Sequence, residues 1–413
     1  MFSQKQQTVI NDFKNGKLKR INLLEGSVRS GKTWISLVMW ALWVATMPKD
    51  SEFLMVAKTV TSLNRNCLNL LQTLIGVDNF TFVLSKKEAR LFGRLVYLEG
   101  VNDMRAEGKI RGMTLSGAYC DEVTLFTENF FTMLLSRLSE KNAKLFATTN
   151  PDNPNHWVMK KYIERSDEID IYVIKFLIQD NTFLDPEYVK QLMIEYTGVY
   201  YDRYILGLWC VAEGVIYDMY DPLVHLVDEY KARDTEQMTR ILYKTVCIDY
   251  GTSNPTVFLM LDHTDDGCVY LSKEYYWDSK QKQRQKTDAE YSKDLALFLD
   301  GVQPKNILID PSATSFMLQL KRDGFNNVRQ ANNAVLDGIR NVSRLFATNT
   351  LYIMRGKAPN TEKELVSYSW NAKAAESGED RPIKENDHCL DALRYGLVDH
   401  GVKFNLGITN IRR

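Results

Sequence analysis

Short, nearly continuous apolar runs alternate with longer stretches of helical spacing through the first half of the chain. "RINLLEG", "EFLMVA" and "AKLFATTN" read as strands buried on both faces. Between the first two lies "TWISLVMWALWVATM", from Thr33 to Met47. It is shorter than the ~20 residues a bilayer core requires, so it predicts a buried helix and no membrane partner. Strands alternating with helices predict an α/β layer architecture with a mostly parallel sheet.

Near "YILGLWCVAEGVIYDMYDP" the pattern turns short, aromatic and glycine-broken, and "DEYKARDTEQMTR" follows as a charged, solvated stretch. These features place a connection between Ala212 and Arg240. The expected layout is a first domain over residues 1–211, a linker over 212–240, a second domain over 241–400 and a tail over 401–413. The second half restarts with "YKTVCIDYGTSNP" and "TVFLMLDHTDDGCVYLSKEYYW", three strands joined by tight turns, one of them marked by "DDG". A helix ("DAEYSKDLALFLDG"), another strand ("KNILIDPSA") and closing helical stretches complete it. At 413 residues the chain exceeds one ordinary core, which agrees with two domains.

The first candidate chemistry is "EGSVRSGKT", which carries Gly26-x-x-x-x-Gly31-Lys32-Thr33 with an apolar strand before it and a helix after. In such a loop the backbone N–H groups, here from Gly26, Ser27, Arg29, Ser30 and Gly31, point inward around a polyphosphate. Lys32 then reaches the β- and γ-phosphates of ATP, and Thr33 ligates Mg²⁺. Arg29 either touches the γ-phosphate or faces solvent. A phosphate loop needs an acid at the end of another strand, and "SGAYCDEVTLF" supplies a pair. Asp121 is expected in the Mg²⁺ shell and Glu122 to orient the attacking water. "LFATTNP" offers Thr148, Thr149 and Asn150 at a strand end, either as γ-phosphate sensors or simply as a turn.

The second candidate is a set of acids on separated segments. Asp249 ends the strand in "KTVCIDYG", Asp310 ends that in "KNILIDPSA", and "KENDHCLDALRY" holds Asp387, His388 and Asp391. On a helix, residues three and four apart share a face, so Asp391 neighbours both of the others. Strands, a helix, a further strand and a late helix carrying acids match a ribonuclease H-like arrangement. Clustered carboxylates repel one another, and divalent cations relieve that repulsion. Asp249, Asp310 and Asp391 are the expected triad for two Mg²⁺ or Mn²⁺ ions cleaving a phosphodiester. His388 or Asp387 completes the second ion's shell, and the spacing to Asp391 favours His388; about 100° apart on a helix, the two are not expected to face the site equally.

Composition changes this picture little. Lysine plus arginine equals aspartate plus glutamate at 52 each, so any nucleic-acid contact must come from local patches. Lys14–Lys17–Lys19–Arg20, Lys86–Lys87 and Lys160–Lys161 are the visible runs. Six cysteines without C-x-x-C spacing predict reduced thiols, and "MFSQKQQTVINDF" lacks the build of a signal peptide.

In order and spacing, "GSVRSGKT", the "CDE" acids, "ATTNP", "GLWCVAEGVIYD", "IDYG", "IDPSA" and "DHCLDALRY" together resemble the large terminase subunit of tailed bacteriophages. The resemblance runs over nearly the whole chain. It implies an N-terminal P-loop ATPase of the ASCE type that drives double-stranded DNA into a procapsid. It also implies a C-terminal ribonuclease H-like nuclease that cuts concatemers. Thr148 to Asn150 then couple hydrolysis to movement, and Arg111, ten residues before Asp121, lies where such motors carry an arginine finger. Implied partners are a portal protein, a small terminase subunit and further copies in a ring, in the host cytoplasm during virion assembly. Two other readings stay open: a nucleic-acid remodelling ATPase with a non-catalytic C-terminal platform, and a small-molecule kinase. The three-segment acid set argues against the former; the long β-rich second half and "ATTNP" argue against the latter.

Overall fold

A computed structural model describes residues 2–101, 106–230 and 239–398. Residues 231–238 of the expected linker and the expected tail at 401–413 lie outside the described residues. The chain divides into two compact units, both mixed α/β. The first takes in Met1–Lys190, Val199–Ala212 and Ala372–Asp380; the second takes in Gln191–Gly198, Glu213–Asn371 and Arg381–Arg413. This departs from the two consecutive blocks that the sequence pattern predicts. Ala372–Asp380 joins the first unit through polar bonds, among them Asn153 Nδ2 to the Ala375 carbonyl at 3.1 Å. Such bonds leave no hydrophobic periodicity to read.

Among the described residues, eight strands form the sheet of the first unit. They are β1 (Ile21–Gly26), β2 (Glu52–Ala57), β3 (Phe80–Val83), β4 (Glu88–Leu91), β5 (Arg94–Gly100), β6 (Gly117–Cys120), β7 (Lys144–Thr149) and β8 (Ile171–Phe176). Their order is β3-β4-β5-β2-β6-β7-β1-β8. Pairing is parallel from β5 to β8, while β3 and β4 add an antiparallel meander at one edge. Successive residues of a strand point to opposite faces. Thus Phe53 and Met55 enter the core beneath the Lys32–Thr46 helix, and Leu54 and Val56 enter a second core on the other face. Trp40 of that helix is fully buried against Phe53, Tyr119 and Phe146. An aromatic of this size removes on the order of 200 Å² from water, worth about 5 kcal/mol of transfer free energy. The Thr33–Met47 stretch is therefore a core helix, as its length predicts, and no described helix is long and apolar enough to cross a membrane.

The sheet of the second unit comprises β9 (Leu226–Val227), β10 (Ile241–Asp249), β11 (Thr256–Thr264), β12 (Val269–Trp277), β13 (Asn306–Ile309), β14 (Val328–Gln330) and β15 (Leu351–Met354). Their order is β14-β13-β10-β11-β12-β15-β9. β11 runs antiparallel to both β10 and β12, and β13 and β14 continue parallel to β10. Leu226–Val227 falls inside the stretch read as a linker, yet it pairs with β15 and closes one edge of this sheet. The helix Asp288–Leu299 starts with a capping box between Thr287 and Glu290.

The helix His388–Leu397 lies on β10 and β11, buried through Cys389, Leu390, Leu393 and Leu397. Gly396 permits that approach, since a Cβ there would collide with Cys247 Sγ and Leu261 Cδ1. The helix begins one residue later than the cluster reading assumes. Asp387 is its N-cap, at φ −122° and ψ 10°, outside the helical turn. The 100° separation from His388 therefore does not apply.

Candidate functional site

In the first unit, β1, β6 and β7 are parallel neighbours, so the loops after them meet at one edge of the sheet. Glu25 pairs with Thr149, and Cys120 with Ala147, which brings the phosphate-binding motif, the acid pair and the Thr-Thr-Asn stretch together. The loop leaves β1 at Gly26, whose φ of +134° suits glycine and where a Cβ would strike the Phe176 carbonyl. Ser27 N–H donates to the Phe176 carbonyl (2.9 Å) and Val28 N–H to that of Tyr204 (2.8 Å). Arg29 and Gly31 take left-handed conformations, at φ 55° and 86°. The hydroxyls of Ser27 and Ser30 are buried without a hydrogen-bond partner. Buried polar groups normally have partners, so a loop with two bare hydroxyls fits a polyphosphate. Arg29 is exposed, and Thr33 is half-buried in the first turn of the helix.

Lys32 is buried, and its Nζ donates to the Ser27 carbonyl (3.0 Å) and Asn150 Oδ1 (2.6 Å). Burial pulls the ammonium's pKa down, while Glu122, Asp121 and Glu25 oppose the fall. Asp121 is buried, taking hydrogen bonds from Thr148 Oγ1 (3.0 Å) and Asn66 Nδ2 (3.1 Å). Glu122 is half-buried, and its carboxylate accepts the Asn150 N–H at 3.1 Å. Burial raises its pKa and the Asp121 charge adds to the rise, with Lys32 pulling the other way. The Glu122 backbone is left-handed (φ 57°), a conformation that costs of order 1 kcal/mol and clusters at functional sites. Thr149 Oγ1 donates to Thr124 Oγ1 at 2.9 Å, away from Lys32. In this triplet the lysine's direct partner is Asn150.

Three neighbours carry no motif. Asn66 comes from the turn of helix Asn64–Leu68, Gln6 Nε2 donates to the Gly31 carbonyl (3.3 Å), and Trp209 Nε1 donates to Glu25 Oε2 (3.0 Å). Of these, only "GLW" is legible in the sequence, as part of a junction. Arg111 is exposed just after the helix Ala106–Ile110. The basic runs are largely paired: Lys17 with Asp12, Lys19 with Asp170, Lys87 with Glu99, Lys160 with Glu164 and Lys161 with Glu128.

In the second unit, Asp249, Asp387, His388 and Asp391 line one cleft of about 550 Å³, with Asp278, Lys280 and Lys384 on its walls. Both Asp387 and His388 face it, contrary to the expectation for two adjacent helical residues, because Asp387 precedes the helix. His388 Nδ1 lies 2.9 Å from Asp249 Oδ2. Burial raises the Asp249 pKa, and the charges of Asp391 and Asp387 add to it. Asp387 is raised for the same reasons, burial first and then Asp391. Burial acts against a charged His388, but the bond to Asp249 outweighs it and lifts the imidazole above its ordinary value. Asp310 follows the Ile248↔Ile309 pair of the parallel strands β10 and β13, so it stands beside Asp249 at their ends. It does not line the cleft; its Oδ2 accepts from Tyr395 Oη (2.9 Å) and its Oδ1 from Ser312 N–H (2.7 Å).

Among the described residues no group of three His, Cys, Asp or Glu is already arranged to hold a metal ion. The acids are instead quenched by cations. Arg394, buried, bonds to Asp391 Oδ1, and Lys384 Nζ stands 3.5 Å from Asp391 and 3.6 Å from Asp387. The donor set still fits a divalent cation. It is rich in oxygen, its acids raise one another's pKa, and Asp387 Oδ2 is buried without a hydrogen bond. No motif singles out Arg394 and Tyr395, although Arg394 is three residues from Asp391 and so visibly on its face.

Residues 19–205 match the protein family described as phage terminase large subunit. The whole chain is similar to the large terminase of a thermophilic bacteriophage. One crystal form is 35% identical over 96% of this chain and 98% of that one, with a TM-score of 0.88. The same relative has been solved with ATP-γ-S and with ADP. Both structures are 34% identical over 97% of this chain and 100% of theirs, with TM-scores of 0.87. A comparison with curated proteins finds no match.

Proposed function

The chain belongs to the phage terminase large subunit family, and on that premise we propose that it is an ATP-driven motor that moves double-stranded DNA into a procapsid and cuts it. The observation that carries the ATPase half is the Lys32 ammonium held between the Ser27 carbonyl and Asn150, beside Glu122 and two unpartnered loop hydroxyls. The structures of the thermophilic phage relative with ATP-γ-S and ADP support the same reading. In hydrolysis Lys32 exchanges Asn150 for the β- and γ-phosphates. Glu122, whose carboxylate already favours a proton, takes one from the attacking water. Thr33 and Asp121 would hold Mg²⁺, which when bound neutralises developing phosphate charge. Asn150 touches both Lys32 and Glu122, so release of the lysine is felt at the base and at the strand end. Arg111, which is exposed, would act on a neighbouring copy in a ring.

The nuclease half rests on the sheet order around β10 and on the acids at its end. Strands β12-β11-β10-β13-β14, with only β11 reversed, support a ribonuclease H-like unit. Asp249 and Asp391 would hold Mg²⁺ or Mn²⁺ with Asp387 or His388, and Asp310, beside Asp249 at the strand ends, would join them by giving up its bond from Tyr395. When bound, such ions activate a water and stabilise the leaving 3′-oxygen. Until then Lys384 faces Asp387 and Asp391, and Arg394 faces Asp391, as counter-charges. The portal protein, the small terminase subunit and the host cytoplasm enter the proposal through the family.

The test uses the purified chain with double-stranded DNA. DNA-stimulated ATP hydrolysis, and plasmid cleavage with Mn²⁺ in the absence of ATP, are the expected results. Hydrolysis without cleavage under varied metal and salt would leave a remodelling ATPase whose second unit only binds, a reading that the cation-quenched acids favour.

A further inference from the structure

The helix that carries His388 and Asp391 does not cap itself. The first N–H groups of any helix lack intrahelical partners, and the residue before the first turn usually supplies one with its side chain. Here that residue is Asp387, and its side chain makes no capping bond. A carboxylate from another helix does the work. Glu364, on the helix Pro359–Ser367 and 4% exposed, accepts the N–H of Cys389 at 2.7 Å and of Leu390 at 3.2 Å, both on Oε2. The acceptor oxygen on these N–H groups also lies at the positive end of the helix dipole.

The capping helix is itself held from outside. Its N-cap, Ala358, offers no side-chain bond. Glu274 on β12 accepts instead, Oε1 from Asn360 N–H (3.1 Å) and Nδ2 (2.8 Å), Oε2 from Thr361 N–H (2.8 Å) and Oγ1 (2.7 Å). Two acids thus tie the last helix, step by step, to the sheet whose strand β10 presents Asp249. We infer that Glu364 is a positioning residue of the candidate nuclease site. It fixes the turn bearing His388 and Asp391 against Asp249, and it releases Asp387 from capping so that its carboxylate faces the cleft. The inference rests on the nuclease reading of this site.

The experiment compares Glu364→Leu, Glu364→Asp and Glu364→Gln in the full chain. It measures Mn²⁺ affinity by calorimetry without DNA or nucleotide, metal-dependent plasmid nicking, and thermal unfolding. Outer partners of metal ligands typically carry 10–100-fold in affinity, so Glu364→Leu should weaken Mn²⁺ by about that factor. Glu364→Asp, too short for both N–H groups, should fall between. Glu364→Gln keeps the acceptor oxygen and should stay near wild type in affinity and nicking. Should Glu364→Leu fail to fold, a weaker metal affinity for Asp than for Gln supports the role. Lowered melting temperatures with wild-type Mn²⁺ affinity in every folded variant would mean that Glu364 only stabilises, and would overturn it. A wild-type chain that binds no Mn²⁺ at this cleft would overturn the nuclease reading itself, and this role with it.

Discussion

Lys32 Nζ and Asn150 Oδ1 lie 2.6 Å apart, although 118 residues separate them in the chain. A buried ammonium needs a partner, and the amide oxygen provides one. The same asparagine gives its backbone N–H to Glu122. Lys32 and Glu122 are therefore joined through one residue at the end of β7.

Replacing Lys32 by Ala removes the charge that we propose meets the phosphates. ATP turnover should fall by at least about 10²-fold, the usual loss when one charge-stabilising donor is removed. Metal-dependent nicking without ATP should be unchanged, since that site lies in the other unit. A phosphate-release assay beside plasmid electrophoresis reads both; joint loss would mean that the sites are not separate.

The reverse pattern is expected of Asp249→Ala. It takes away the acid bonded to His388 and flanked by Asp391, leaving an incomplete ligand set. Nicking should disappear while DNA-stimulated ATPase persists. Wild-type nicking by this variant would move the site elsewhere.

His388 and Asp387 both face the cleft, so His388→Ala and Asp387→Ala separate their duties. The stronger ligand is the one whose removal weakens Mn²⁺ binding more in calorimetry. We expect it to be Asp387, whose Oδ2 has no hydrogen bond to give up, whereas His388 is already engaged by Asp249. Greater loss from His388→Ala would reverse the assignment.

Burial pushes the Glu364 carboxyl up to about 7, with the Leu390 and Cys389 N–H groups and the charge of His388 only partly offsetting it. A raised acid makes the folded state bind its proton more tightly than the unfolded state. That stabilisation is complete below about 4.5 and is lost as pH rises through about 7. At about 1.4 kcal/mol per tenfold change in proton affinity, the rise amounts to about 3 kcal/mol. Glu364→Gln cannot titrate, so the metal-free variant should gain stability relative to wild type between pH 4.5 and 7. Denaturant unfolding at a series of pH values checks it; parallel curves would contradict this burial.

Gly396→Ala forces a methyl group against Cys247 and Leu261 beneath the last helix. Overpacking of this kind costs about 1–3 kcal/mol. Calorimetry should show the loss in the unfolding of the second unit while ATP turnover stays unchanged.

Much was written locally. The apolar runs marked β1, β2, β7 and the core helix, because strands buried on both faces need continuous apolar side chains whatever surrounds them. The Gly-Lys-Thr loop and the Asp121-Glu122 pair were legible because their chemistry requires those residues at that spacing. The hairpin "DDG" announced the antiparallel start of the second sheet. Tertiary structure alone decided the rest. Asn150 became the partner of Lys32 only through the placement of β7 beside β1. Asp387 is an N-cap that makes no capping bond, and Glu364, from another helix, accepts the N–H groups instead. Arg394 and Lys384 quench the acids, and Ala372–Asp380 joins the first unit, through polar bonds that no periodicity records. Hydrophobic pattern and motif spacing are properties of neighbours along the chain, whereas a buried charge takes whatever partner the fold brings within about 3 Å.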